Sequence, residues 1–199
     1  MAADVVLQTL KHVWQNLAPL QVPIALMGGL AVAVWKHPRL TRDVDILVGI
    51  DPNKSEELIQ VLKKAGLKPK RSPAVLVIGN QQIIQFLYQP SGTFVDIQVD
   101  LLLAEGEYQK QALTRCQSTP LPGLDIVISV LSCEDLLLHK LLSGRILDTA
   151  DAAGLLRANR TVLDFAYLQT WLARLNLVKE WQVVWEEAFP GESPPTDSG

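Results

Sequence analysis

The sequence predicts an α+β fold of the mixed α/β kind: a mixed sheet flanked by helices, followed by a helical C-terminal part. Three observations predict it. Strand-like runs crowd the stretch before Val130 and are separated by turn signals, without the one-for-one alternation with helices of a doubly wound parallel fold. From Ser132 onward the apolar residues recur at helical spacing. Finally, Asp43 to Val48 alternates carboxylate and aliphatic side chains, the pattern of a strand with two unlike faces.

Taken in order, Val6, Leu10, Val13, Trp14 and Leu17 mark an amphipathic helix over 5–17. Ile24 to Met27 is a short apolar run that stops at Gly28-Gly29, and a second helical stretch runs from Leu30 to Trp35. After the strand at Asp43, Ser55 to Ala65 reads as a helix closed by Gly66. Ala74 to Ile78 and Gln82 to Tyr88 flank Gly79-Asn80 as a hairpin, and Thr93 to Leu103 reads as one long strand. Leu124 to Val130 is a further strand candidate. Helices are then expected through Leu142, over 146–159, 163–173 and 178–189. The resulting organisation is an α/β core at 1–130, a helical part at 131–189 and a disordered tail rich in Pro, Ser and Gly at 190–199.

Bulk composition narrows the function. The 199 residues are 48% apolar and 20% charged, enough to bury a core without disulfides or a structural metal. A net charge of −3 argues against a protein that coats nucleic acid non-specifically. Two cysteines, Cys116 and Cys133, show no paired spacing for zinc or a disulfide framework. Neither a signal peptide nor a run of eighteen apolar residues is evident, so a cytoplasmic protein without a membrane partner is expected. Neither a G-x-x-x-x-G-K-[ST] phosphate loop nor a G-x-S-x-G nucleophile turn is present.

The chemistry-bearing residues are carboxylates. Asp43 and Asp45 sit two apart on a strand and therefore point the same way, with Val44 and Ile46 turned into the core. Two such charges about 4 Å apart repel by roughly 4 kcal/mol at an effective dielectric near 20. A cation between them, or water around them, relieves that cost. Asp96, Gln98 and Asp100 repeat the design on the Thr93–Leu103 run. If the two strands are neighbours, three hard oxygen donors converge without His or Cys, a set suited to Mg²⁺ or Mn²⁺. An isolated D-x-D on a strand is also simply a solvated polar face. What lifts this one above that reading is Gly28-Gly29 ahead of it, a turn whose backbone amides can approach phosphate at a helix entrance.

With these residues in hand, the chain resembles the DNA polymerase β-like nucleotidyltransferase superfamily, most of all its AbiEii-type and related minimal members. Three stretches carry the resemblance: GGLAVAVWKHPRLTRDVDILV, VDLLLAEGEYQKQAL and SCEDLLLHKLLSGRILDTADAAGLL, in that order between Ile24 and Leu156. The resemblance implies a metal-dependent enzyme that moves a nucleoside monophosphate from an NTP to a hydroxyl on RNA such as tRNA, on protein or on a small molecule. It implies Asp43, Asp45 and Asp100 as catalytic residues and metal ligands, with Asp100 also a base for the acceptor and Asp96 its rival. Gly28 and Gly29 would line the triphosphate, and Lys140 would be a cationic phosphate partner. Many superfamily members carry Ser as the second turn residue, where this chain has Gly29, so backbone amides and cations must supply more of the contact. Superfamily members include toxins of toxin–antitoxin pairs, so an antitoxin partner is among the expectations, as are resistance enzymes. The alternative class is a non-catalytic nucleotide- or partner-binding module of the same fold.

Other candidates carry structural readings of their own. Arg39 and Arg42 flank Thr41 just ahead of the carboxylates; they are placed to meet phosphate, Arg42 above all, or to balance the acids. Ser132 with Asp135 reads as a helix cap, and Arg145 with Asp148 as an i,i+3 pair. Lys63, Lys64, Lys68, Lys70 and Arg71 form a basic cluster, either a solvated helix end or a surface for an RNA acceptor. None of His12, His37 and His139 is expected to be catalytic.

Overall fold

The computed structural model describes residues 2–79, 81–121 and 124–195. Packing divides the chain into two units, one from Met1–Leu30 with Leu40–Leu131 and the other from Ala31–Arg39 with Ser132–Gly199.

The first unit holds the sheet. Its helix α1 (Ala2–Leu17) buries the stripe Val6, Leu10, Val13, Trp14 and Leu17, as helical spacing predicts. Strand β1 (Ile24–Met27) leads directly into α2 (Gly28–Val34), with the glycine pair at the junction. Strand β2 (Asp43–Val48), helix α3 (Ser55–Lys64) and the short strand β3 (Lys68–Pro69) follow. Next come β4 (Val75–Ile78), β5 (Gln81–Tyr88), β6 (Ile97–Leu103), α4 (Glu107–Thr114), β7 (Gln117–Leu121) and β8 (Ile126–Val130).

The sheet runs in the order β3-β5-β6-β2-β1-β8-β7, with β4 beside β5. It is mixed, as expected: β2–β6 and β1–β8 are parallel, and the other pairs are antiparallel. The β4–β5 hairpin forms with Ile78 opposite Gln81, while Asn80 lies outside the described residues. Two strands went unanticipated. The run Q-S-T-P-L in β7 is polar and contains Pro120, which a strand tolerates at an edge, and among the described residues β7 pairs with β8 alone. The two-residue β3 is too short to leave a periodic pattern. The expected strand over 93–103 begins only at Ile97, so Asp96 stands ahead of it.

One face of this sheet carries Val44, Ile46, Ile84, Phe86, Val99 and Leu101, all fully buried, and α1 packs against α3, β2 and β6. On the other face Ala25, Leu47 and Leu102 form a core with Ala104, Ala112 of α4 and Leu131. Gly49 ends β2, and its backbone N–H donates to the Pro23 carbonyl at 2.7 Å.

The second unit is helical: α5 (Cys133–Ser143), α6 (Ile146–Asn159), α7 (Phe165–Arg174) and α8 (Val178–Ala188). Ser132 caps α5 as expected, accepting from the Asp135 backbone N–H at 3.1 Å and donating to its carboxylate at 2.7 Å. Inside the unit Lys140 is 5% exposed, with its Nζ 2.6 Å from Asp148 Oδ1 and 2.8 Å from Asp151 Oδ2. Arg145 Nε lies 2.6 Å from Asp148 Oδ2, and Arg39 Nε 2.9 Å from Asp151 Oδ2. Two buried acids are thus matched by three cations. Gly154 has no Cβ to spare, because one built there would stand 2.4 Å from the His37 ring. In the segment 190–195, Glu192 accepts from Trp185 Nε1 through its carbonyl and pairs with Arg160, and the Pro195 carbonyl accepts from Gln169. Residues 196–199 of the expected disordered tail lie outside the described residues.

These groups make stability pH-dependent. Burial is the largest influence on Asp148 and raises its proton affinity, but hydrogen bonds from Arg145, Lys140 and Ser143 outweigh it and leave the carboxyl below its ordinary range. Burial holds His139 down to about 4. A base whose folded pKa is lowered binds protons more readily when unfolded. Unfolding should therefore become easier as pH falls from about 6.5 towards 4, by up to roughly 1.4 kcal/mol per pH unit. The depressed Asp148 carboxyl contributes stability above its unfolded pKa, and that contribution fades only at lower pH. Urea melts from pH 7 to pH 4 should show the first decline, and His139→Leu should flatten it. Lys140→Met, which removes the one cation shared by two buried carboxylates and leaves each with a single arginine, should cost about 3 kcal/mol at pH 7 in the same melts.

Candidate active site

Residues paired across neighbouring strands point to the same face, and the parallel β2–β6 ladder sets Asp45 opposite Asp100 and Asp43 opposite Gln98. Alternation does the rest. Val44, Ile46, Val99 and Leu101 are buried on one side, and Asp43, Asp45, Gln98 and Asp100 stand half-buried on the other. The antiparallel β5–β6 pairing sets Gln85 on the far side of Asp100, and the β1–β2 pairing sets Met27 against Asp45. The same face continues into the apolar core under α4 at Leu47 and Leu102. One end of the strands therefore supplies packing and the other supplies charge.

The Thr41 hydroxyl donates to Asp43 Oδ1 at 2.5 Å, which fixes that carboxylate from the segment just before its strand. Asp100 is held more elaborately. Gln98 Nε2 lies 3.0 Å from its Oδ1 and 2.9 Å from its Oδ2, and Gln85 Nε2 lies 3.2 Å from Oδ1. Each glutamine is in turn engaged by a cation at its carbonyl end, Gln98 by Lys70 Nζ at 2.6 Å and Gln85 by Arg71 at 2.5 Å. Burial raises the proton affinity of Asp100, and the nearby Asp43 charge raises it further. The two amides and Lys70 oppose that rise without cancelling it. Burial is thus the main reason that Asp100 holds its proton more tightly than an ordinary carboxyl.

Gly28 is tied to this cluster by contact. Its φ is +65°, and a Cβ there would stand 1.8 Å from Asp45 Oδ2 and 2.5 Å from Asp45 Cγ. A side chain would occupy the space of the carboxylate itself. Gly29 is buried in the next position of the helix.

Of the residues singled out from sequence, the first unit brings together Gly28, Gly29, Asp43, Asp45 and Asp100. Arg42 is exposed, immediately before Asp43. Asp96 is exposed and off the strand, whereas Asp100 is the acid in register with Asp45. Lys140 lies in the second unit against Asp148 and Asp151. Sequence reasoning gave no role to Thr41, Gln85, Lys70 or Arg71 at the carboxylates. The period-two spacing of Gln98 and Asp100 was a visible signal, but Gln85 meets Asp100 through pairing register, which no local pattern reveals. Among the described residues, no three His, Cys, Asp or Glu side chains stand grouped as a ready-made metal site. The donor chemistry nonetheless fits Mg²⁺ or Mn²⁺: all-oxygen carboxylates on one face.

No curated protein matches the chain. Among solved structures it is similar to an antigenic nucleotidyltransferase-like protein from Paracoccidioides brasiliensis, at 20% identity and a TM-score of 0.56 over 95% of this chain and 98% of that one. It is also similar to the antibiotic-resistance factor ANT(2'')-Ia, at 14% identity and a TM-score of 0.55 over 92% of this chain and 98% of that one. A third likeness is to the lincosamide antibiotic adenylyltransferase LnuA, at 21% identity and a TM-score of 0.50 over 74% of this chain and 94% of that one. At these identities the likeness is one of fold. The model of the nucleotidyl transferase AbiEii toxin family, of type IV toxin–antitoxin systems, matches residues 13–182, and the chain belongs to that family.

Proposed function

We propose that this chain transfers a nucleoside monophosphate from an NTP to an acceptor hydroxyl, with Mg²⁺ or Mn²⁺ as cofactor. The observation that carries the reading is the placement of Asp45 directly opposite Asp100, with Gly28 pressed against the Asp45 carboxylate. Asp43, Asp45 and Asp100 are the residues that would hold the metal. When bound, the cation supplies charge neutralisation at the phosphates.

The chain's own residues divide the remaining work. The backbone at Gly28 and Gly29, free of side chains, can come close to the triphosphate at the start of α2. Arg42, exposed beside Asp43, is the cation nearest in sequence to the acids. Lys140 as a phosphate partner carries a condition, since its ammonium must first be released from Asp148 and Asp151. In the reaction, the acceptor oxygen forms a bond to the α-phosphorus as the bond to the pyrophosphate oxygen breaks. The hydroxyl proton passes to a carboxylate, for which we assign Asp100. Positioning and electrostatics supply most of the acceleration in such a site.

An RNA end such as that of tRNA, a protein hydroxyl or a small molecule can each serve as acceptor. Two structures of this fold are, by their names, an antibiotic-resistance factor and an antibiotic adenylyltransferase, which keeps the small-molecule class open. Family membership supports a toxin whose partner is an antitoxin protein. No helix among the described residues is long and apolar enough to cross a membrane, in keeping with the cytoplasmic role we propose.

The decisive experiment incubates purified protein with each α-labelled NTP and total cellular RNA and protein. Label should move to one macromolecular class in the presence of Mg²⁺, and Asp45→Asn should lower the rate roughly a hundred- to a thousandfold. Nucleotide-induced stabilisation that EDTA leaves intact, with no label transferred, would instead establish a binding module. Gly28→Ala should abolish transfer by displacing the Asp45 carboxylate, and should lower the stability of the fold by about 1–2 kcal/mol through its positive φ. Retained activity in that variant would contradict the close packing of glycine and carboxylate. If the protein is a toxin, its expression should arrest growth, and Asp43→Ala should restore it.

A further inference from the structure

We propose that Gln98 and Gln85 are positioning residues that set Asp100 as a single-oxygen ligand, and that Lys70 and Arg71 act through them. This inference rests on the metal-dependent reading above and assigns residues outside the carboxylate set.

The geometry runs in two parallel chains of contact. Lys70 Nζ donates to Gln98 Oε1 at 2.6 Å, and Gln98 Nε2 donates to both oxygens of Asp100, at 3.0 and 2.9 Å. Arg71 donates to Gln85 Oε1 at 2.5 Å, and Gln85 Nε2 donates to Asp100 Oδ1 at 3.2 Å. A cation on the carbonyl end of an amide fixes which end faces the carboxylate, so both glutamines are committed as donors. A carboxylate offers about four lone-pair sites. Oδ1 receives two donors and Oδ2 one, which leaves Oδ2 with room for one further partner. The asymmetry turns Asp100 into a ligand with one available oxygen of fixed direction.

The amides also separate charges. Were Lys70 or Arg71 to touch Asp100 directly, an ammonium or guanidinium would compete for the oxygen a divalent cation needs. A neutral amide holds the carboxylate in place and keeps each cation one side chain away. The backbone supports the arrangement: Gln85 is opposite Asp100 in the β5–β6 ladder, and the Lys70 N–H donates to the Gln85 carbonyl at 2.8 Å. Outer partners of this kind commonly affect metal affinity by about 10–100-fold.

The test uses the whole chain and Mn²⁺ alone as probe, followed by electron paramagnetic resonance, alongside the labelled-NTP assay. Gln98→Ala should weaken Mn²⁺ binding roughly tenfold and Gln85→Ala by less, with both variants melting close to wild type. In the transfer assay kcat should fall while KM for the NTP changes little. Lys70→Met, which leaves Gln98 in place but frees its amide to turn, should show a smaller loss of the same kind. Wild-type Mn²⁺ affinity and kcat in both glutamine variants would overturn the proposal. So would a Lys70→Met effect confined to KM, which would mean that Lys70 meets the nucleotide itself. Failure of the parent reading looks different: wild type would then bind no Mn²⁺, or Asp45→Asn would transfer label as well as wild type.

Discussion

The structure depends on a repulsion that the fold holds in place. Three carboxylates share one face because β2 and β6 run parallel with Asp45 opposite Asp100, and because Asp43 follows at the strand's period of two. Left to themselves like charges separate. Here the opposite faces of the same strands prevent it, since Val44, Ile46, Val99 and Leu101 are locked into the core. The apolar alternation supplies the free energy that keeps the acids together, at about 25 cal/mol per Å² of apolar surface removed from water. The half-buried acids sit at one end of strands whose other end lies beneath α4.

The surrounding polar groups respond to the same constraint. Thr41 and the two glutamines give the carboxylates neutral donors, which satisfy lone pairs without removing charge. The second unit solves the opposite problem. There Asp148 and Asp151 are fully buried, and Lys140, Arg39 and Arg145 bring the compensating charge directly onto them. One pair of acids is buried against cations; the acids of the sheet are half-buried and meet neutral donors.

How much of this was legible in the sequence follows from which interactions are local. The α1 stripe, the Gly79 hairpin, the Ser132 cap and the period-two acids are short-range patterns, and each can be read from neighbouring residues. The mixed sheet and the family were visible because several motifs occur in a fixed order. The edge strand β7 and the late start of β6 were not, because edge strands tolerate polar residues and proline, and because Thr93 to Val95 have β-like side chains although the pairing of β6 begins at Ile97. The partners of Asp100 were hidden for a similar reason: Gln85 and Asp100 meet through register, and Arg71 reaches Gln85 from outside any periodic element. Lys140 illustrates the converse. Its position in the motif was clear, but burial against Asp148 and Asp151 is a property of packing that spacing alone does not disclose.

The parallel pairing of β2 with β6 has a kinetic corollary. Parallel neighbours need a crossover, and here the intervening chain contains α3 and the whole β4–β5 hairpin, so Asp45 and Asp100 meet only after a long loop has closed. During synthesis, a ribosome that has released β2 but not yet β6 holds a chain with two of its acids and no third. Until β6 docks, Asp45 stands without the neighbour that the register assigns to it.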